Sequence, residues 1–126
     1  MVEEKKEFYI NGEWLKPSKI NDLQVINPST EEICAIISLG SEDDTNLAVK
    51  AAKDSFISWW QTPKEKKLEL LDNLLKIYIR RSLEMAKAIS TEMGAPIDWS
   101  INEQSQSGED HIKTFINNFK KFEFEN

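Results

Sequence analysis

The sequence predicts an α/β chain, ordered as α+β within this stretch: two N-terminal β-hairpins followed by about four helices. Three observations carry that expectation. Asn11-Gly12 lies between two short extended runs, Asn27-Pro-Ser-Thr-Glu31 separates two runs rich in β-branched residues, and from Ser41 onward the apolar spacing changes to the helical period.

The first hairpin is predicted to pair Glu7–Ile10 with Glu13–Lys16 across Asn11-Gly12. A type I′ turn needs positive φ at both central residues, which Asn tolerates and Gly adopts without steric cost. A lone two-stranded hairpin is marginal in water, so this one is expected to lie on other structure. Lys16-Pro-Ser-Lys-Ile-Asn-Asp22 reads as a loop. The second hairpin pairs Leu23–Ile26 with Glu32–Ser38 around the Asn27–Glu31 turn, and Gly40 closes the β part.

Ser41, with Asp44 three residues on, has the form of an N-cap followed by an acid in the first turn. Leu47, Ala48, Ala51, Ala52, Ser55, Phe56, Trp59 and Trp60 then recur at helical spacing, small in the middle of the face and aromatic at its end. Thr62-Pro63-Lys64-Glu65 is a second start signal, with Thr62 as cap, Pro63 at the first helical position and Glu65 completing the capping box. That helix should run through Leu68, Leu71, Leu74, Leu75 and Tyr78 and be interrupted near Arg81. Ser82 would cap the next one, with Met85, Ala86, Ile89 and Met93 on its apolar face and Gly94 and Pro96 as its stop. A last helix is expected from about Pro96 to Phe119. Its apolar stripe of Ile112, Phe115, Phe119 and Phe122 continues backwards into Gly108, Ser105, Gln104 and Ile101. A core-facing stripe turns small and polar for a reason: close approach to a neighbouring helix or a partly exposed end, or a face meant for protein or a bound ion outside these residues.

Composition narrows the classes. The chain has 126 residues, 40% apolar and 30% charged, enough for one domain with its own core and typical of globular proteins. No apolar run approaches the roughly 20 residues of a membrane span, and the charged opening Met1-Val-Glu-Glu-Lys-Lys lacks the apolar core of a signal peptide. Cytoplasmic location is therefore the expectation. Sixteen Lys and Arg against twenty-two Asp and Glu give a net charge of -6, which argues against nucleic acid or anionic membrane as partner. The short clusters Lys64–Lys67 and Arg80-Arg81 read as solvated helix faces. With no repeat, low-complexity tract or linker, residues 1–126 read as one organisational unit.

Candidate chemistry is sparse. Cys34 is the sole cysteine, so no internal disulfide and no multi-thiolate zinc site can form. It lies in the apolar run Ile33-Cys-Ala-Ile-Ile37 and reads as a buried, inert thiol. His111 is the sole histidine and reads as a surface or half-buried helix residue. Gly12, Gly40, Gly94 and Gly108 stand too far apart for a phosphate cradle. Glu31-Glu32 and Asp43-Asp44 read as structural acids at a turn and a helix start. No catalytic, cofactor-binding or metal-binding residue is assigned from the residues themselves.

The order of the motifs carries more. Phe8–Trp14, Asn27–Glu32, Ala48–Trp60 and Glu92–Pro96, in sequence and at their spacing, resemble the opening of the NAD(P)-dependent aldehyde dehydrogenase family: a Phe-Ile-Asn-Gly-Glu-Trp start, an Asn-Pro-(Ala/Ser)-Thr-Gly-Glu turn, an Ala-Val-x-Ala-Ala helix ending in Phe and Trp, and a Glu-x-Gly-(Lys/Ala)-Pro stop. The resemblance covers essentially the whole chain. It departs at Glu31, where the family has Gly. Gly94–Pro96 and the Phe122-Glu-Phe-Glu stretch look like a bacterial-type subgroup.

The resemblance implies the first part of a cofactor-binding domain. The oxyanion Asn, the ribose-binding Lys, the Gly-Ser-Thr phosphate loop, the general-base Glu and the nucleophilic Cys would all lie beyond residue 126. Residues 1–126 are thus expected to be inactive alone, as a truncated product or fragment, with Cys34 not the nucleophile. The intact enzyme is expected to oxidise an aldehyde to a carboxylic acid with NAD or NADP through a cysteine thioester. Its implied partners are the remainder of the chain and further copies of itself. In some members a monovalent cation is held near the Asn-Pro turn, which would implicate the Ile26 carbonyl and an acid such as Glu103. A different class of function, a non-catalytic interaction module on the same fold, would use the stripe Trp59, Trp60, Ile112, Phe115 and Phe119.

Overall fold

The computed structural model describes residues 2–124. Its contacts divide into two compact units, Met1–Gln61 and Thr62–Asn126.

Among the described residues, the strands all lie in the first unit. β2 (Phe8–Ile10) and β3 (Glu13–Leu15) pair antiparallel, with Tyr9 opposite Trp14 and their rings 5.2 Å apart. Asn11 and Gly12 both have positive φ, 54° and 83°, as the primed turn demands. The second hairpin joins β4 (Asp22–Asn27) to β5 (Glu32–Ser38), with an irregularity at Val25/Ile26. Its turn is built by Asn27: the side-chain oxygen accepts the Ser29 N–H (2.9 Å) and the carbonyl accepts the Glu31 N–H (2.8 Å). Glu31 sits at φ 59°, a left-handed conformation held here with a side chain in place.

A further strand, β1 (Glu3–Lys5), pairs parallel with β5 and makes a three-stranded sheet in the order β1-β5-β4. The sequence had marked this segment only as a charged opening. Its three residues are exposed and carry no alternating pattern, so the strand is set by β5's free edge and not by its own composition.

α1 (Glu42–Gln61) follows, and it meets β2 within this unit. Its aromatic end is exposed: Phe56 is 62% accessible and Trp60 64%.

In the second unit α2 spans Lys64–Met93, thirty residues without a break. The expected interruption near Arg81 with a cap at Ser82 does not occur. No Gly or Pro stands there, Arg81 forks onto Glu84 along the helix (2.9 and 3.0 Å), and the Ser82 carbonyl serves a neighbouring hydroxyl. The helix begins one residue later than expected. Pro63 holds the cap position, and its carbonyl accepts the N–H groups of Lys66 and Lys67, both at 3.1 Å. The stop is as expected: Gly94 is left-handed at φ 70°, and its N–H bonds the Ser90 carbonyl (3.0 Å).

The last helix is composite. A single turn, α3 (Ile97–Trp99), leads into a π-helical turn at Ser100–Ser105 and then α4 (Gln106–Lys121). In an α-helix residues five apart differ by about 140° in direction, whereas one π turn brings them to the same side. Ser100 and Ser105 are accordingly both buried, and Ile101, expected on the inner face, is 39% exposed.

Candidate functional site

Two constellations have the burial and polar connections that a site would need, one in each unit.

In the first unit, Asp44 is buried at the start of α1. Its Oδ2 accepts the Ser41 N–H and the Ser41 hydroxyl, both at 2.8 Å, and its Oδ1 accepts the Ser18 N–H at 2.9 Å. The Ser41 hydroxyl lies 3.3 Å from the Asp44 N–H and 2.7 Å from the Ser18 hydroxyl. The backbone N–H of Ser41, then that of Ser18, hold the carboxyl down to a pKa of about 2 against the opposing effect of burial. Asp44 is therefore an acceptor that stays ionised at neutral pH and pins the loop before β4 to the start of α1. A general acid or base needs a pKa near working pH, so this group is structural, as the sequence suggested for the Asp43-Asp44 pair.

A cleft of about 890 Å³ in the same unit is lined by Lys6, Trp14, Ile20, Asp22 and Ser38 among others. Lys6 pairs with Asp22 at 2.9 Å and with Glu4 at 3.6 Å, and the Asp22 hydrogen bond foremost raises its pKa. The charges are balanced inside the cleft. Ser38 is buried there, and its hydroxyl has no partner among the described residues.

In the second unit the small, polar face of the composite helix packs on α2. The Tyr78 hydroxyl donates to the Ser105 carbonyl (2.8 Å), the Ser105 hydroxyl donates to the Ser82 carbonyl (2.9 Å), and the Ser100 hydroxyl donates to Gln104 Oε1 (3.1 Å). A Cβ at Gly108 would stand 2.2 Å from the Tyr78 oxygen, so only glycine permits this approach. Of the two reasons the sequence offered for that face, close helix packing is the one observed.

The other candidates each resolve within their own unit. Cys34 is half-buried in β5, and its thiol donates to the Val25 carbonyl (3.3 Å). His111 is exposed on α4 beside a groove lined by Phe115 and Phe119. Ile26 is in β4, with its residue 45% exposed, and Glu103 is exposed in the π turn. Among the described residues no group of three or more His, Cys, Asp or Glu side chains could hold a metal ion, and no helix is long and apolar enough to cross a membrane. The four glycines do not build a phosphate cradle either. Gly12 turns a hairpin, Gly94 ends α2, Gly108 faces Tyr78, and Gly40 runs past the Phe8 ring at 3.7 Å. The glycines are each committed to packing or a turn, and none forms a phosphate loop.

What the site residues leave open, the comparisons supply. The profile described as "Aldehyde dehydrogenase family" matches residues 14–126. A 3-succinoylsemialdehyde-pyridine dehydrogenase from a Pseudomonas species is 40% identical over 121 residues, covering 95% of this chain and 25% of that protein. The crystal structure of an aldehyde dehydrogenase from Bartonella henselae superposes with a TM-score of 0.95 at 50% identity, covering 98% of this chain and 26% of that one. Aldehyde dehydrogenase C from Pseudomonas syringae, solved with NAD+ and octanal, gives 0.93 at 32% identity and covers 96% and 25%. The chain thus spans about a quarter of the length of the relatives it matches. With nearly all of its residues matched and both hairpins and the helix series accounted for, the chain belongs to the aldehyde dehydrogenase family.

Proposed function

We propose that residues 1–126 form the N-terminal part of an aldehyde dehydrogenase domain, and that the intact enzyme oxidises an aldehyde to a carboxylic acid with NAD or NADP. The observation that carries this reading is the TM-score of 0.95 at 50% identity to an aldehyde dehydrogenase, over 98% of this chain but only 26% of that one. Support for the cofactor comes from the Pseudomonas syringae relative, whose structure holds NAD+.

These residues act as scaffold. Asp44 fixes the entry into α1, and the contacts of Tyr78 and Ser105 fix the helix pair of the second unit. Thiolate attack, hydride transfer and thioester hydrolysis belong, by the family resemblance, to segments outside residues 1–126. Cys34 takes no part, since its thiol lies half-buried within a strand and is bonded to a backbone carbonyl. The remainder of the chain is the first partner of these units, and further copies of the enzyme are the second.

Two assays test the proposal together. Purified residues 1–126 should show no NAD(P)+-dependent oxidation of short and medium-chain aldehydes, while the same residues within a full-length family chain should show it, unchanged by Cys34→Ser. Turnover by residues 1–126 alone, or loss of turnover in the Cys34→Ser full-length enzyme with its fold intact, would overturn the assignment.

A further inference from the structure

We propose that Lys64 is a latch: its ammonium group holds Phe122–Phe124 as a strap that forms one wall of an aromatic groove on α4, and releasing it dismantles the groove. The sequence placed Lys64 in a solvated basic cluster. Its neighbour Lys66 behaves that way, paired along the helix with Glu69. Lys64 instead reaches 56 and 58 residues along the chain, donating to the carbonyls of Lys120 (3.1 Å) and Phe122 (2.8 Å). It also lies 5.8 Å from the Phe119 ring centroid, within cation–π range.

The end of α4 has no strong local stop. α2 ends on a left-handed glycine, but α4 ends at Phe122 in extended conformation, φ −74° and ψ 128°, whose N–H reaches the Phe119 carbonyl at 3.3 Å. The last carbonyls of a helix carry partial negative charge, and a cation supplied from elsewhere satisfies them. Lys64 supplies it here.

That contact sets where the strap lies. Phe124 meets Phe119 and Phe122 edge to face, at 5.7 and 4.8 Å, while Phe115 stacks on Phe119 at 6.0 Å. Together they bound a groove of about 560 Å³ with His111 on its rim. Phe122 remains 57% and Phe124 68% exposed, so apolar burial contributes little to holding the strap. The polar contacts of Lys64 fix the strap at Phe122, and the ring contacts of Phe124 follow from there.

The test uses Lys64→Met, which keeps the aliphatic stem and removes the donors, beside Lys64→Arg and Phe124→Ala, all in the 126-residue chain. In Lys64→Met, hydrogen exchange in the last turn of α4 (residues 118–122) should be about tenfold faster while exchange in the middle of α2 is unchanged, and Lys64→Arg should restore the original rates. Binding of a fluorescent apolar dye at the groove should change alike in Lys64→Met and Phe124→Ala. Unchanged exchange in Lys64→Met, a uniform rise across the second unit, or failure of Phe124→Ala to reproduce the dye response would each overturn the latch.

Discussion

Two stretches of the last helix in the second unit invert the usual rule for what lies inside. Facing α2, the composite helix buries Ser100 and Ser105 and brings Gly108 against Tyr78; two turns further along the same stripe Phe115 is 56% exposed. Small residues let two helix backbones approach, and their hydroxyls satisfy carbonyls at that distance, so polarity at the contact is a consequence of closeness. The aromatic positions are a different kind of surface. Phe115 and Phe122 sit at helical spacing but remain open to solvent among the described residues, as do Phe56 and Ile57 on α1. The lesson is that the exposed aromatic positions do not mark the internal packing of this unit, whose buried positions among the described residues are Ala86, Ser100, Ser105 and Ile116.

The most direct way to break that contrast is Gly108→Ala. The added carbon would meet the Tyr78 oxygen at 2.2 Å and its Cζ at 2.7 Å, so the ring must move and its hydrogen bond to the Ser105 carbonyl is lost. Overpacking costs about 1–3 kcal/mol and the lost bond about 1, offset by about 1 from the better helix propensity of alanine. The expected net loss is about 2 kcal/mol, read from the denaturant midpoint. A companion Gly108→Ala/Tyr78→Phe variant sharpens the result, because removing the hydroxyl relieves the shortest contact and should recover part of the loss. An unchanged midpoint in Gly108→Ala would mean that the close approach is not where this unit is held.

How much of this was legible beforehand depends on whether the signal was local. Both hairpin turns were readable because Asn11-Gly12 and Asn27-Pro state their geometry in two or three residues. Ser41 with Asp44, and Gly94 with Pro96, are equally local. β1 was not readable, since Glu3–Lys5 becomes a strand only because β5 offers an unpaired edge. Nor was the continuity of α2: Arg80-Arg81-Ser82 resembles a break, but without Gly or Pro the ladder continues and Arg81 pairs with Glu84 inside it. The π turn was the hardest to read. Periodicity assumes one period throughout, and a single extra residue in one turn exchanges Ile101 for Ser100 at the buried face. On the candidate site, ordered motifs identified the family where single side chains could not.

A smaller and pH-dependent effect is expected in the first unit, where a buried polar group again does the holding. Asp44 has its pKa lowered from an ordinary 3.8 to about 2, chiefly by the Ser41 and Ser18 N–H groups. A depressed carboxyl contributes stability that is fully present above its unfolded value and is lost as pH falls through its folded one. The loss should therefore run from about pH 4 down to about pH 2. Asp44→Asn should flatten that limb of the stability–pH curve and be less stable than the parent at neutral pH. If the two acid limbs were parallel, the carboxylate would not be what ties Ser18 to the start of α1.

The smallest effect is expected from the surface that the sequence would have placed in a core. Phe56 is 62% exposed on α1, so exchanging it for a polar helix former removes little buried area. Phe56→Gln should shift folding stability by no more than about 0.5 kcal/mol in the 126-residue chain, as surface substitutions do. In a full-length enzyme the same substitution should cost several times more if that face is covered by the rest of the chain, since burying an amide without a partner is unfavourable. Comparing the two denaturation midpoints turns the contrast between inner and outer faces into a difference between two measurements. A large loss already present in the 126-residue chain would mean that Phe56 supports α1 from within, and equal small losses in both would mean that its face stays open in the complete enzyme.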